Sequence, residues 1–298
     1  MREEDEPAET SPGSIDWPAL CRRVVGRQAE LFASQPTIAE RTLYDGVGVG
    51  GDHSLVIDRQ CEEIIFAELE QAVTETGCGF TAISEERGEV RLGGGDRSGA
   101  VVVIDPIDGS LNARRTIPSH SLSIAVASGR SMADVRFGFV HDFGAGDEFI
   151  AERGAGATLN GRTLKLDGPD TGLEIVGLES ARPEQVLGSI AALSGHAYRL
   201  RVVGSIAISL AYVGAGRFDG MLSARPCRSV DAAAAQLIVS EAGGAVGFAG
   251  FEPEAASLDL EARYPVAAAR DSERLETVLA AQALAGTSWS EATETAGP

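Results

Sequence analysis

Lysine is almost missing from this 298-residue chain: Lys165 is the only one. Basic charge as a whole is short, with 25 Lys and Arg against 44 Asp and Glu and a net charge of -19. A surface that negative repels nucleic acid and anionic membranes, so neither is an expected partner. Cysteine is scarce too. Cys21, Cys61, Cys78 and Cys227 show no C-x-x-C spacing and are too few for a disulfide scaffold, which reads as reduced thiols in the cytoplasm. The four histidines include no pair at metal-ligand spacing, which argues against zinc. No apolar run approaches the ~18 residues that a membrane span needs. The opening MREEDEPAETSPGS is acidic where a secretory signal would be basic and then apolar.

What is present suffices for a substantial core. Hydrophobic residues make up 44%, enough at this length for one large domain or two moderate ones. Residues 1–13 read as a disordered acidic tail and 286–298 as a second tail. Helical periodicity marks 17–32 and 59–76, the latter with Ile64, Ile65, Leu69, Ala72 and Val73 on one face. Asp58 stands just ahead of it in an N-cap-like position. Short apolar runs at 79–84, 100–105, 121–128, 135–142 and 148–153 read as strands. Beyond about residue 170 the elements alternate. Strands are expected near 173–179, 198–203, 217–223, 245–248 and 264–269, with helices near 183–194, 205–214, 231–242 and 271–285. The change predicts an α+β half over 14–170 that carries the metal-binding motifs and an α/β half over 171–285.

Carboxylates stand where the apolar runs end, which is where α/β folds place ligands. Ser84-Glu85-Glu86 ends one strand, and Asp105-Pro106-Ile107-Asp108-Gly109-Ser110-Leu111-Asn112 ends the next. Asp231 opens a helix that closes at Glu241-Ala242-Gly243-Gly244. Asp105 and Asp108 lie three apart across a turn that Pro106 stiffens, so both can converge on one point, with the Ile107 carbonyl between them. Such oxygens suit a hard cation such as Mg²⁺. Gly109 permits close backbone approach, and the N–H groups of Gly109 and Ser110 can cradle an anion. In so acidic a chain any one of these pairs alone is a solvated surface pair, and DPIDG alone is a turn. Together they outline a phosphate-ester site.

SEE, DPIDGSLN and VDAAAAQLIVSEAGG, in that order and spacing, resemble the inositol monophosphatase family of Mg²⁺-dependent, lithium-sensitive phosphatases. That family groups with fructose-1,6-bisphosphatases and phosphoadenosine phosphate phosphatases. NARRTIPSHSLSIAVA and RVVGSIAISL look like the archaeal-type branch that hydrolyses both inositol-1-phosphate and fructose-1,6-bisphosphate. The resemblance implies an α+β fold, a layered α-β-α-β-α sandwich of the sugar-phosphatase type, commonly as a homodimer. It implies that Glu85, Asp105, the Ile107 carbonyl, Asp108 and Asp231 bind Mg²⁺, with Glu85 reaching toward the nucleophilic water. Ser110 stands where the family has a threonine that orients that water, and Asp58 matches the aspartate that holds its hydroxyl. Asp108, Gly109 and Ser110 would cradle the phosphate of a small phosphate ester. Arg201, Gly204, Ser205 and Ile206, with Asp231, fall where the family contacts the sugar or cyclitol.

There are two departures. The family's tryptophan is Val230 here, which should matter little for the metal, and the glutamate that in animal enzymes reads inositol hydroxyls is Ala224, which loosens inositol selectivity. The glycine-rich YDGVGVGGDHSL lacks the lysine some relatives carry, which suggests a mobile lid without a substrate contact, and the bland reading of His53 outweighs a substrate contact. His120 reads as structural. Arg114 and Arg115 either reach a second phosphate or balance nearby acids, and Arg228 is either a substrate cation or a salt-bridge partner. Inositol monophosphate is the first expected substrate, fructose-1,6-bisphosphate the second and a nucleotide 3′-phosphate the third. A non-catalytic sugar-phosphate-binding homologue is the rival reading, and the full carboxylate set argues against it.

Overall fold

The computed structural model describes residues 14–47, 53–94, 99–169, 171–180 and 182–288, with backbone alone at 44–47 and 53–54. The expected acidic tail, most of the C-terminal one and the centre of the glycine-rich loop lie outside the described residues.

Asp16 starts α1 (Trp17–Ser34), its carboxylate accepting the Ala19 N–H at 3.0 Å. A short α2 (Ile38–Arg41) and a ribbon of β1 (Tyr44–Val47) and β2 (His53–Leu55) lead into α3 (Val56–Thr76), which ends at left-handed Gly77. There follow β3 (Phe80–Ser84), β4 (Gly88–Leu92), β5 (Val101–Asp108), α4 (Ser110–Arg114), β6 (Ser121–Ala127), β7 (Val135–Asp142), β8 (Asp147–Glu152), β9 (Gly156–Leu159) and β10 (Arg162–Thr163). These eight strands form one sheet in the order β10-β9-β8-β7-β6-β5-β3-β4, parallel only between β3 and β5. Next come β11 (Leu173–Glu179), α5 (Pro183–Leu193), β12 (Ala197–Arg201), α6 (Ile206–Gly214), β13 (Gly220–Ser223), β14 (Cys227–Arg228) and α7 (Ser229–Glu241). The chain then runs through β15 (Ala245–Phe248), β16 (Arg263–Tyr264), β17 (Val266–Ala269) and α8 (Ser272–Ala283). The second sheet has the order β12-β11-β13-β17-β15, with β11 parallel to both its neighbours.

Strand periodicity builds the layers. Along β5, Val102 and Ile104 face Leu20, Val24, Ile65 and Leu69 of α1 and α3, while Val101 and Val103 face Leu210, Ala233 and Leu237 of α6 and α7. Those two helices also pack against Met221, Val266 and Ala268 of the second sheet. The far side of that sheet, with Val176, Leu178 and Leu222, is covered by Val186 of α5 and Val278 of α8. The result is the layered α-β-α-β-α sandwich. Among the described residues no helix is long and apolar enough to cross a membrane.

Two local expectations change. Asp58 is not an N-cap residue: α3 begins at Val56, and Asp58 sits in its first turn, its carboxylate accepting the Leu55 N–H at 3.3 Å. DPID is not a free turn but the end of β5. Asp105 pairs with Ser123 and Asp108 with Ser121, three residues against two, so a bulge lies at Pro106-Ile107. In an unbulged strand residues three apart face opposite sides. The extra residue resets that phase.

Helix α7, which carries Asp231, lies close on β7 because Gly138 has no side chain: a Cβ there would stand 2.5 Å from the Ala234 carbonyl oxygen. Gly138→Ala is therefore expected to cost about 1–3 kcal/mol by overpacking and to shift α7. Thermal melting checks it; an unchanged melting temperature would refute the close approach.

Candidate active site

Strands and a helix from different layers bring the carboxylates together. Glu85 follows β3, Asp105 lies on β5 and Asp231 is in the first turn of α7, and one oxygen of each lies within 4.8 Å of the others. Among the described residues this is the one such acidic cluster. Asp105 is buried, and burial, then the charges of Asp108 and Asp231, raise its pKa well above the usual range. Burial also raises Asp231, whose carboxylate accepts the Arg228 N–H at 2.8 Å. All donors are hard oxygens, and the charges repel, so the residues present fit a divalent cation.

The three aspartates are held by main chain. Asp105 accepts the Ile107 N–H at 3.0 Å across the bulge. Asp108 reaches the other way: its Oδ2 accepts the Ser205 hydroxyl at 2.5 Å and the Ala207 N–H at 2.6 Å, joining β5 to the start of α6. Burial, then Asp231, pushes Asp108 up to about 7. Glu85 is paired with the Arg228 guanidinium, and both side chains are largely covered. Arg228 is thus the salt-bridge partner of the two roles expected for it.

The expected hydroxyl relay differs. The Ser110 hydroxyl donates to the Ile107 carbonyl at 2.9 Å, whereas Asp58 bonds Leu55 and leaves its buried Oδ1 without a partner. Burial, then Glu86, raises Asp58 to about 6. Gly109 (φ 91) opens α4, and a Cβ there would stand 3.0 Å from the carbonyl oxygens of Gly204 and Ser119, so the two loops meet at a glycine.

Beside Asp108 lies a cavity of about 440 Å³ whose lining includes Asn112, Glu179, Arg182, Val202, Gly204 and Ile206. Gly204 and Ile206 are thus part of its lining, and Ser205 lies behind, on Asp108. Arg201 does not line the cavity; it sits on the edge strand β12 and donates to the Leu200 carbonyl. Arg182 lines it instead. Arg114 is close enough to act on the charge of Asp58, while Arg115 is exposed. His120 is buried against Phe32 and Phe143, and burial lowers its pKa, in keeping with its structural reading. The His53 side chain lies outside the described residues.

Two supports escaped the sequence reading. Glu62, on the buried side of α3, accepts the Ser84 hydroxyl and the Arg87 N–H (3.1 Å), bracketing Glu85. Its signal was an acid on an apolar helix stripe. Glu179 closes β11 as Asp108 closes β5, and the strand-end rule would have found it.

A layered sandwich with an all-oxygen acid cage at its strand ends is the build of a metal-dependent phosphatase acting on sugar phosphates. The profile described as the inositol monophosphatase family matches residues 31–287, and the chain belongs to that family. It is 36% identical over 214 residues to a fructose-1,6-bisphosphatase/inositol-1-monophosphatase of Methanothermobacter thermautotrophicus, covering 67% of this chain and 72% of the relative. An inositol-1-monophosphatase of Mesorhizobium japonicum is 34% identical over 202 residues, covering 66% of this chain and 72% of its own length. Among solved structures, an inositol monophosphatase of Thermotoga maritima superposes with a TM-score of 0.69 at 26% identity, covering 95% of this chain and all of the other.

The raised carboxylates set a pH dependence. With native values up to about 7 and unfolded values near ~4, the native state binds more protons than the unfolded one between those limits. Stability of the metal-free protein then falls as pH rises through that window. Its melting temperature is expected to be higher near pH 5.5 than at pH 8, with millimolar divalent cation restoring most of the loss at pH 8. A metal-free protein that stabilises from pH 5.5 to 8 contradicts the cage.

Proposed function

We propose that the protein is a Mg²⁺-dependent phosphomonoesterase acting on small polyol and sugar phosphates, inositol-1-phosphate and fructose-1,6-bisphosphate among them. The observation that carries this reading is the convergence of Glu85, Asp105 and Asp231 within 4.8 Å. Those three carboxylates, with Asp108 and the Ile107 carbonyl, are the groups that would hold the ion. When bound, Mg²⁺ supplies charge that offsets the phosphoryl oxygens and makes water more acidic. Glu85 takes the proton of the attacking water, and the Ser110 hydroxyl, on turning from the Ile107 carbonyl, orients that water. Asp58 carries an unpartnered oxygen in the same acidic surroundings and is the second acceptor for that hydroxyl. The main chain of Gly109 and Ser110 cradles the phosphate, and Gly204 and Ile206 border the sugar. In-line displacement by water then needs no covalent enzyme intermediate.

The same reading has a homodimer working in the cytoplasm. Four free cysteines, three of them buried, suit a reducing compartment. Exposed Leu111, Tyr198 and Val202 near the open edge of β12 suit a second copy.

Phosphate release with Mg²⁺, against an EDTA blank, tests the activity. Asp105→Asn and Asp231→Asn are each expected to lower kcat at least about a hundredfold, or about 2.7 kcal/mol, while circular dichroism shows a folded chain. Near-wild-type kcat in either would sink the metal assignment.

Substrate choice follows from what lines the site. Ala224 offers no acceptor to a cyclitol hydroxyl, so discrimination between polyols is weak. Arg182, which lines the cavity beside Asp108, and Arg114, close to Asp58, suit a second phosphate through bidentate contacts. Both inositol-1-phosphate and fructose-1,6-bisphosphate are expected to turn over, with kcat/KM values within about two orders of magnitude, or ~3 kcal/mol. Strict inositol specificity would refute the dual reading.

A further inference from the structure

Glu179 is the last residue of β11, at the C-terminal ends of the parallel strands, and its side chain is 1% exposed. Its Oε1 accepts the Val203 N–H at 3.0 Å and the Ser209 hydroxyl at 2.6 Å, and its Oε2 accepts the Gly204 N–H at 2.8 Å. The Ser205 main chain bonds it as well. Successive N–H groups that converge in this way form a nest of the kind that binds free anions. Here the chain fills its own nest with a carboxylate.

The other face of the same loop is held from the other sheet. The Ser205 hydroxyl donates to Asp108, and the Asn112 amide donates to the carbonyls of Val203 (2.8 Å) and Ser119 (2.7 Å). The loop 203–206 therefore lies between two buried carboxylates, one from each sheet, and it lines the cavity beside the cage. Ser180, which follows Glu179, has a left-handed backbone (φ 54) that a non-glycine residue adopts only when its surroundings impose it. The main-chain donors of Val203, Gly204 and Ser205 are already engaged. What the loop can offer a sugar depends on where Glu179 holds it.

Resting on the phosphatase reading above, we propose that Glu179 is a positioning residue for the sugar or polyol part of the substrate, acting through the loop 203–206. It does so without being a ligand of the ion and without touching the reacting phosphate. Removing its charge loosens recognition of the hydroxyl-bearing group and leaves phosphate chemistry in place. A role in fold stability alone would weaken all substrates alike.

The test compares inositol-1-phosphate with p-nitrophenyl phosphate, whose leaving group carries no hydroxyls for the loop to read. Glu179→Gln keeps the size of the side chain but turns an amide N–H₂ toward at least one of its donors. At saturating Mg²⁺ its KM for inositol-1-phosphate is expected to rise about tenfold or more, with kcat changed less than about threefold. Its KM for p-nitrophenyl phosphate should stay within about twofold of wild type. Equal losses on both substrates, or an unchanged KM for inositol-1-phosphate, overturn the proposal. Should Glu179→Gln fail to fold, Ser209→Ala removes one donor and keeps the carboxylate. It is expected to shift the ratio of the two kcat/KM values about threefold toward p-nitrophenyl phosphate, and an unshifted ratio overturns the proposal equally. Wild-type protein inactive on p-nitrophenyl phosphate with Mg²⁺ would sink the functional reading and this one with it. Active wild type with an unshifted ratio sinks the positioning role alone.

Discussion

Mutual repulsion among buried carboxylates is the constraint around which this structure is arranged. Asp105, Asp108 and Asp231 come from a strand, the end of that strand past a bulge, and a helix start; the charges of Asp108 and Asp231 raise the pKa of Asp105, and that of Asp231 raises Asp108. Left to themselves such groups would separate or protonate. They stay because each is tied to main-chain N–H groups: Asp105 to Ile107, Asp108 to Ala207 and Asp231 to Arg228. Those bonds orient the carboxylates and lower part of the penalty, without neutralising it. The residual strain is what a cation relieves.

The same ties fasten the layers. Asp108 belongs to the eight-stranded sheet yet caps a helix that packs between the sheets, and Asn112, one turn on, reaches Val203 in the other half. Glu179 answers from the five-stranded sheet by gripping the loop that Asp108 touches. Glycine occurs where these loops press together, Gly109 against the Gly204 carbonyl and Gly204 against the Asn112 amide. Side chains at either place would have to push the halves apart.

Much of this was legible in the sequence, for identifiable reasons. The run 173–179 and the helices near 183–194 and 231–242 were read within a residue or two, because buried strands and apolar helices carry strong period-two and 3.6-residue patterns. β4, reading GEVRL, escaped because it is an edge strand with alternate residues in solvent. The three cage carboxylates were legible because strand ends and helix starts are marked by sudden polarity. The bulge was not: Pro106 reads equally as a turn, and only pairing with β6 distinguishes them. The Ser110 hydroxyl bond, the Glu62 and Glu179 supports and the approach of Arg182 depend on residues distant in sequence, which no local pattern encodes. Arg201 was read as a substrate contact and lies on the edge strand β12, while Arg182, which the sequence did not single out, lines the cavity.

Charge at two length scales then governs how an anionic substrate enters. A net charge of -19 repels it at long range, but at physiological ionic strength the field is screened within ~8 Å. What counts is the local balance. Arg228 lies on Glu85, Arg114 acts on Asp58, and Arg182 lines the cavity beside Asp108. Arginine suits these positions because its planar fork can hold a carboxylate and a phosphoryl group with paired N–H donors and keeps its charge when desolvated. A lysine-poor protein has thus kept cations of the kind that bind phosphate beside its one described acidic cluster. An oxygen of Glu85 paired with a guanidinium is less available to a divalent ion, so Arg228 and a cation draw on the same carboxylate.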